Sequence, residues 1–187
     1  DILLGLLSDV LDISKIESGK MELNEKDVPL AASVKALVQT YKFRNNKNVK
    51  FNVNIDPQID FDVVADQTIL NQVLLNLIGN AAKFTGEGEI CTTVSLIEEI
   101  GDYVNVGFSI KDTGIGIEED QLQSIFESFK QGSKQTKLRY GGTGLGLSIV
   151  KRLVSMYKGD IQVKSTVGVG SEFSFNMMFK RKIEDQK

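Results

Sequence analysis

The sequence predicts an α+β fold, a two-layer sandwich in which three helices cover one face of a mixed, mostly antiparallel sheet. After an N-terminal helix, the predicted order is helix, two strands, helix, hairpin, loop, helix and hairpin, which lacks the regular alternation of a parallel α/β sheet. In addition, the apolar side chains of residues 69–84 cover most of a helix circumference, so this helix should be buried against the sheet.

Composition limits the possible classes of protein. The 187 residues, with 41% hydrophobic and 25% charged residues, suit one soluble domain with an appendage. No apolar run reaches the roughly 20 residues of a membrane span, and no signal peptide is recognisable. One cysteine and no histidine exclude a disulfide within the chain and a Cys/His metal site, and they favour a reducing, cytoplasmic location. The net charge of −3 argues against nucleic-acid binding.

The N-terminal helix carries a stripe of apolar residues that requires a partner. The chain begins at Asp1 inside this pattern, which indicates a fragment of a longer protein. Two interpretations remain open: a helix of a dimeric bundle, or a core helix of the main domain. Gly19 should mark its end. The stripe consists of Leu3, Leu6, Val10 and Ile13, widened by Leu7, Leu11 and Ile16.

The next segment predicts a helix, two strands and the buried helix. A second amphipathic helix follows Pro29 and ends near Arg44. Alternating apolar residues between Val49 and Ile55 predict a strand, and a short strand should follow at 61–64. Asp66 should cap the buried helix, which we expect to end near residue 84.

The C-terminal half predicts two hairpins separated by a helix. The first hairpin turns at Gly101-Asp102, and its second strand delivers Asp112. A short helix should span residues 118–129, followed by a polar, mobile loop over 130–142. The last helix should extend from Leu145 to Tyr157, and the closing hairpin should place the strand around 161–165 opposite residues 173–179. Residues 181–187 form a charged tail.

The buried helix contains one narrow polar strip. Gln72, Asn76, Asn80 and Lys83 lie at i, i+4, i+8 and i+11. Burying these groups without partners would cost on the order of several kcal/mol. We therefore expect the phosphates of a nucleotide and their metal ion to lie against this strip.

Two glycine-rich segments could contact a ligand. The segment 112–116, Asp-Thr-Gly-Ile-Gly, lies between a strand and a helix, where its glycines can adopt positive φ or let a flat ligand approach; an ordinary turn is the alternative. The segment 141–146, Gly-Gly-Thr-Gly-Leu-Gly, precedes a helix whose N–H groups can hold phosphate. Here the alternatives are a flexible loop or a dinucleotide-binding turn, but no strand precedes these glycines.

Together these motifs resemble the catalytic and ATP-binding domain of sensor histidine kinases. The series comprises the Asn-x-x-x-Asn helix, the Asp-x-Gly-x-Gly segment, the paired Phe126 and Phe129, and the sequence GGTGLGL. This domain belongs to the GHKL superfamily with gyrase, Hsp90 and MutL, and the implied structure is the Bergerat ATP-binding fold. The resemblance covers residues 28–180. Residues 1–27 resemble the second helix of the dimerisation and histidine-phosphotransfer bundle with its linker. The residues within the motifs are most similar to those of hybrid kinases.

The resemblance implies roles for the buried helix and the first glycine segment. Asn80 would supply an oxygen to Mg²⁺, and Asn76 would contact the phosphates or the waters of the metal. Lys83 would face the phosphates, and Phe84 would pack near the base. Asp112 would bind the adenine amine, with the backbone of its two following glycines beside the purine. Those glycines are Gly114 and Gly116.

The resemblance assigns residues 130–142 as the ATP lid. Arg139 or Lys137 would contact the γ-phosphate, and Tyr140 the base. Asn76, Lys83 and Arg139 are thereby the candidates for the transfer step. The remaining phosphate contacts would come from Gly142, Thr143, Gly144, Leu145 and Gly146.

Two features of the sequence limit the reaction. Related ATPases carry a glutamate at the position of Asn76 as general base, and an amide cannot accept a proton, so hydrolysis should be slow. The chain contains no histidine, so the phosphoacceptor must come from a bundle helix of the same protein outside this sequence. A receiver domain as the next partner and a homodimer of the full-length protein are implied. The alternatives are a nucleotide-binding signalling or dimerisation module without kinase activity, or a GHKL-type ATPase.

Overall fold

The computed structural model describes residues 2–44, 48–127 and 145–182. The helices in these ranges are α1 (Ile2–Glu17), α2 (Leu30–Arg44), α3 (Gln67–Phe84), α4 (Glu119–Leu122) and α5 (Gly146–Met156). The strands are β1 (Lys26–Pro29), β2 (Asn48–Ile55), β3 (Asp62–Ala65), β4 (Glu87–Ile100), β5 (Tyr103–Asp112), β6 (Ile161–Thr166) and β7 (Gly170–Arg181).

The described strands form one sheet in the order β1-β3-β7-β5-β4-β2, and β6 pairs with the same edge of β7 as β3. The pairing of β2 with β4 is parallel, and the other pairs are antiparallel. The predicted α+β class with a mostly antiparallel sheet is therefore confirmed.

Helices α2, α3 and α5 pack against one face of this sheet, as predicted. In β5 every second side chain from Val104 to Asp112 is buried, and β7 continues the same layer through Phe173 and Phe179. The rings of Phe108 and Phe175 stack at 4.7 Å between centroids. The central strands β5 and β7 thus build the core, and Asp112 lies at its edge.

Helix α3 begins as its sequence predicts. Asp66 adopts an extended conformation, and its Oδ1 accepts hydrogen bonds from the N–H groups of Thr68 at 3.0 Å and Ile69 at 3.3 Å. The helix ends at Thr85, whose N–H donates to the Ala81 carbonyl. Asp66 and Thr85 thereby fix the segment of chain that carries the polar strip.

Helix α1 ends at Glu17, and the turn that follows contains Gly19, which has a φ of +65°. Its C-terminal half packs on the domain: Ile13 and Ile16 contact the core, and Glu17 lies 2.7 Å from the Arg152 guanidinium of α5. The N-terminal half leaves apolar side chains exposed, among them Leu3, Leu4, Leu7 and Leu11. The C-terminal half of α1 thus belongs to the packed domain, and the interpretation of α1 as a bundle helix stays a prediction.

Three elements differ from expectation. The sequence pattern did not predict β1, because its single buried residue is Val28 and the strand exists through its pairing with β3. In the described part of the helix expected over 118–129, α4 is one turn long, and the residues after it, up to 127, continue as turns with N–H groups bonded three residues back. In the last hairpin, Met177 and Phe179 lie beyond β6 and face β5.

The strand β7 extends through Arg181, which pairs with Val63 of β3, so the first residue of the expected tail belongs to the sheet. None of the helices that the structure describes is both long and apolar enough to cross a membrane.

Candidate functional site

Asp112, at the end of the central strand β5, carries a buried carboxylate. Its side chain accepts a hydrogen bond from the Gly114 N–H at 2.8 Å, and the Ser171 N–H also faces it. Burial raises the pKa of this carboxyl, and the two backbone N–H groups lower it in part. The strand therefore holds an acceptor at one fixed place beside a glycine.

The two glycines after Asp112 serve different local purposes. Gly116 has a φ of +75°, which confirms the expected left-handed conformation. Gly114 has no positive φ, but a Cβ there would lie 2.5 Å from the Phe84 carbonyl oxygen and 2.9 Å from Thr85 Oγ1. Gly114 thus allows the loop to pass against the C-terminal end of α3.

The first residue of the polar strip has a protein partner. Gln72 Nε2 donates to Asp12 Oδ2 of α1 at 3.0 Å. At Gln72, the polar partner that the strip requires is therefore Asp12 of α1 rather than a nucleotide.

Asn76 faces the beginning of α5. Its Nδ2 donates to the Gln72 carbonyl one turn earlier at 2.8 Å, so its Oδ1 points away from α3 and toward Gly146. A Cβ on Gly146 would lie 2.8 Å from this oxygen. Leu145, which precedes α5, is fully buried and accepts the hydrogen bond of the Ile149 N–H. The close packing of α3 and α5 therefore joins the Asn-x-x-x-Asn motif to the end of the second glycine segment.

Asn80, Lys83 and Phe84 continue the same face of α3 and are half-buried. Lys83 Nζ lies 5.3 Å from the centroid of the Phe84 ring. Burial lowers the pKa of Lys83, because desolvation disfavours the ammonium form. An anion in front of this face would offset that desolvation.

Several candidate residues lie outside the described ranges. They are Phe129, Lys137, Arg139, Tyr140, Gly142, Thr143 and Gly144, all within 128–144.

Phe126, one of the paired phenylalanines of the motif series, packs as an apolar anchor. Its ring meets Phe173 edge to face at 6.4 Å between centroids, and Lys151 Nζ lies 5.7 Å from the Phe126 centroid. The residue stabilises the contact between the turns after α4 and the sheet.

Sequence reasoning missed two polar residues beside Asp112. Thr85 is fully buried, and its hydroxyl has no hydrogen-bond partner among the described residues. Ser171 is buried and pairs with Asp112 across β5 and β7. Ser171 lies beside Asp112 because of the register between β5 and β7, which are distant in sequence, so no local signal could have indicated this contact.

The candidate site is thus an acceptor carboxylate, a loop with two glycines, the polar face of α3 and the N-terminal end of α5. Within the described ranges, no group of three or more His, Cys, Asp or Glu residues could hold a metal ion. A hard cation there would depend on amide oxygens and on oxygens of a ligand.

Comparison with known proteins gives a consistent result. The family described as histidine kinase-, DNA gyrase B-, and HSP90-like ATPase matches residues 65–181, which is more than half of the chain. The chain is 40% identical over 176 residues to hybrid signal transduction histidine kinase B of Dictyostelium discoideum, which covers 94% of this chain and 9% of that protein.

It is 39% identical over 188 residues to the autoinducer 2 sensor kinase/phosphatase LuxQ of Vibrio vulnificus (strain YJ016), covering 99% of this chain and 22% of LuxQ. The chain therefore spans less than a quarter of the length of either relative. The crystal structure of full-length ShkA in complex with AMPPNP is similar with a TM-score of 0.82 and 34% identity, over 96% of this chain and 36% of ShkA.

The match over most of the sheet, the similarity to ShkA and the geometry around Asp112 lead to one assignment: the chain belongs to the histidine kinase-, DNA gyrase B- and HSP90-like ATPase family and carries its ATP-binding domain.

Proposed function

We propose that this chain is the ATP-binding catalytic part of a sensor histidine kinase, which transfers the γ-phosphoryl group of Mg-ATP to a histidine on another segment of the same protein. The observation that carries the proposal is the buried carboxylate of Asp112 beside Gly114, at the edge of the polar face of α3. The names of the similar proteins, which are histidine kinases or sensor kinases, agree with it.

Asp112 binds the base in this proposal. A carboxylate can accept a hydrogen bond from the exocyclic amine of adenine, and the loop with Gly114 and Gly116 packs tightly against the Phe84 and Thr166 carbonyls beside it. Phe84 packs near the base, with Tyr140 of the lid as a further contact.

The phosphates lie between α3 and the N-terminal end of α5. Lys83 supplies a positive charge, and the N–H groups at this helix end hold phosphate oxygens. These backbone groups belong to Gly142, Thr143, Gly144, Leu145 and Gly146.

The donor atoms fit a Mg²⁺ ion that is held mainly by phosphate oxygens. The Asn80 amide oxygen is the proposed protein ligand, because a hard cation prefers oxygen ligands and the phosphates bring the negative charge. When bound, the ion neutralises charge on the phosphates.

Transfer depends on positioning and on charge. The bond between the γ-phosphorus and the β,γ-bridging oxygen breaks, ADP leaves with that oxygen, and a new bond forms to a histidine nitrogen. Asn76, Lys83 and Arg139 orient and stabilise the phosphoryl group. Asn76 cannot accept a proton from water, so hydrolysis by the chain alone should be slow.

The proposed organisation follows from this role. Residues 1–27 form the second helix of a dimerisation and phosphotransfer bundle with its linker, residues 28–180 form the ATP-binding domain, and 181–187 follow it. The whole protein is a homodimer that passes the phosphoryl group to a receiver domain, and the domain acts in the cytoplasm. The exposed leucines of α1 agree with a bundle partner.

The decisive experiment adds an acceptor helix with a histidine to the chain and incubates both with ATP labelled at the γ-phosphate. We expect acid-labile label on the helix, lost when its histidine is replaced by alanine. Asp112→Ala should abolish ATP binding and labelling, whereas Asp102→Ala on the exposed β4–β5 turn should change neither. Binding without label would favour a signalling module, and rapid phosphate release by the chain alone would favour an ATPase.

A further inference from the structure

The loop that follows Asp112 is attached to the β6–β7 hairpin. The Gly168 N–H donates to the Ile115 carbonyl at 2.8 Å, and the Ile117 N–H donates to Ser165 Oγ at 2.8 Å. Gly116 approaches the Thr166 carbonyl so closely that no Cβ would fit. The far end of the loop is therefore held by the hairpin rather than by neighbouring residues of its own segment.

The near end of the loop is connected to the same hairpin. The Ser171 N–H faces the Asp112 carboxylate, and Ser171 Oγ lies 2.8 Å from Ser165 Oγ. Ser165 Oγ also lies 3.0 Å from the Gly170 carbonyl oxygen, to which it donates. A hydroxyl has one hydrogen, so Ser171 donates to Ser165 when Ser165 donates to Gly170.

The Ser165 hydroxyl consequently donates one hydrogen bond and accepts two. It contacts both ends of the loop. At the far end it binds the Ile117 N–H directly, and at the near end it binds Ser171, whose own N–H faces Asp112. Ser165→Ala, which removes this hydroxyl, would leave the Ile117 N–H, the Ser171 hydroxyl and the Gly170 carbonyl without this partner. The spacing between Asp112 and Gly116 would then be less well determined.

We propose that Ser165 is a positioning residue for recognition of the nucleotide base, because its hydroxyl holds Asp112 and Gly116 at the spacing that receives adenine without touching the base itself. The proposal rests on the proposed function, since it presumes that adenine binds at Asp112. If Ser165 had a purely structural role, its replacement would weaken the binding of all nucleotides equally. If it is a positioning residue, its replacement weakens the binding of the nucleotide that uses Asp112.

The test compares ATP with inosine triphosphate, which has the same phosphates but carries a carbonyl oxygen where adenine has its amine, and so presents an acceptor instead of a donor to Asp112 at that position. Calorimetric titration of the full chain should show that the native protein prefers ATP. In Ser165→Ala we expect ATP affinity to fall about tenfold, which corresponds to about 1.4 kcal/mol, while inosine triphosphate affinity stays within about twofold.

Ser165→Thr keeps the hydroxyl and should restore the preference for ATP. Ser174→Ala, on an exposed position of β7, is the matched control and should behave as the native protein. Thermal unfolding of each variant shows whether it folds. If Ser165→Ala does not fold, Ser171→Ala, which removes one of the three bonds of Ser165, should show a smaller loss in the same direction.

The proposal is overturned if Ser165→Ala, or Ser171→Ala in its place, weakens both nucleotides by the same factor or weakens neither. It is also overturned if Ser165→Thr behaves as Ser165→Ala. A native protein that binds both nucleotides equally would instead contradict the adenine pocket at Asp112, and with it the proposed function.

Discussion

Two titratable residues of the candidate site have a pKa that is shifted by burial. Burial raises the pKa of Asp112 and lowers that of Lys83, so in both cases the environment disfavours the charged form. Perturbed titratable groups in one region are typical of functional sites.

The pH dependence of stability tests the burial of Asp112. Its pKa is raised in the folded chain above the usual 3.8, so its proton stabilises the fold below pH 3.8, and this contribution is lost as the pH rises through the folded pKa. The native protein should therefore lose stability relative to Asp112→Asn as the pH is raised through this window. Each unit of pKa difference is worth about 1.4 kcal/mol.

Urea unfolding of both proteins over a pH series measures this difference. Asp102→Asn, on the exposed turn, should run parallel to the native protein throughout. A difference between native protein and Asp112→Asn that is constant with pH would show that the carboxyl has the same pKa folded and unfolded.

Gly114 should be intolerant of a side chain for reasons of space alone. A Cβ 2.5 Å from the Phe84 carbonyl oxygen forces the loop away from α3, so Gly114→Ala should lower the free energy of unfolding by about 1–3 kcal/mol. Gly86 has no atom within 4 Å of a Cβ and no positive φ, so Gly86→Ala should stay within about 0.5 kcal/mol. Equal losses in urea unfolding would refute the steric account.

At the scale of elements, α3 positions most of the site. Its start is fixed by Asp66, and Asn76, Asn80 and Lys83 follow at fixed rotations because the helix is regular. Its apolar faces are held by the sheet and by α5, which leaves one strip for polar contacts. A displaced helix start would shift the whole strip.

Removal of the Asp66 side chain should destabilise the domain. Its Oδ1 accepts from the first turn of α3, and its Oδ2 accepts from the Asn24 N–H at 2.9 Å. Asp66→Ala should cost about 2 kcal/mol, because these donors lose their partner. Asp66→Asn keeps the capping oxygen and should cost less than half of that in urea unfolding. If both variants lose the same free energy of unfolding, the hydrogen bond to the Asn24 N–H contributes more to stability than the cap of α3.

At the scale of the whole molecule, the sheet has one face under the helices and one face toward solvent. The solvent face bears polar pairs such as Asn105 with Asn176 and Ser109 with Glu172. Thr92 is an exception on the covered face: it is 1% exposed, and its hydroxyl has no partner in the described part of the chain. The covered face therefore contains one polar group that a methyl group could replace.

Thr92→Val should raise the free energy of unfolding by about 1 kcal/mol, because it removes a buried, unpaired hydroxyl and keeps the β-branched shape. The adjacent Thr93 faces the other side, where Thr93→Val should change stability by less than about 0.5 kcal/mol. Chemical unfolding of both variants gives the comparison. A loss of stability in Thr92→Val would mean that its hydroxyl has a partner in solution.

The sequence alone determined the class of fold, most elements and the main candidate residues, because these follow from local periodicity, from caps such as Asp66 and from glycine motifs. The turn at Gly101, the glycine after α1 and the end of α3 near residue 84 are local in the same sense. The expected binding role of Asp112 also came from its place after a strand.

Only the tertiary structure decided what depends on residues distant in sequence. Strand pairing created β1, brought Ser171 to Asp112 and joined Ser165 to Ile117. Helix packing gave Gln72 a partner in α1 and placed Asn76 against Gly146. Local patterns specify which face of an element is buried, whereas the register and the packing of elements depend on the complementarity of all surfaces together, which no single segment encodes.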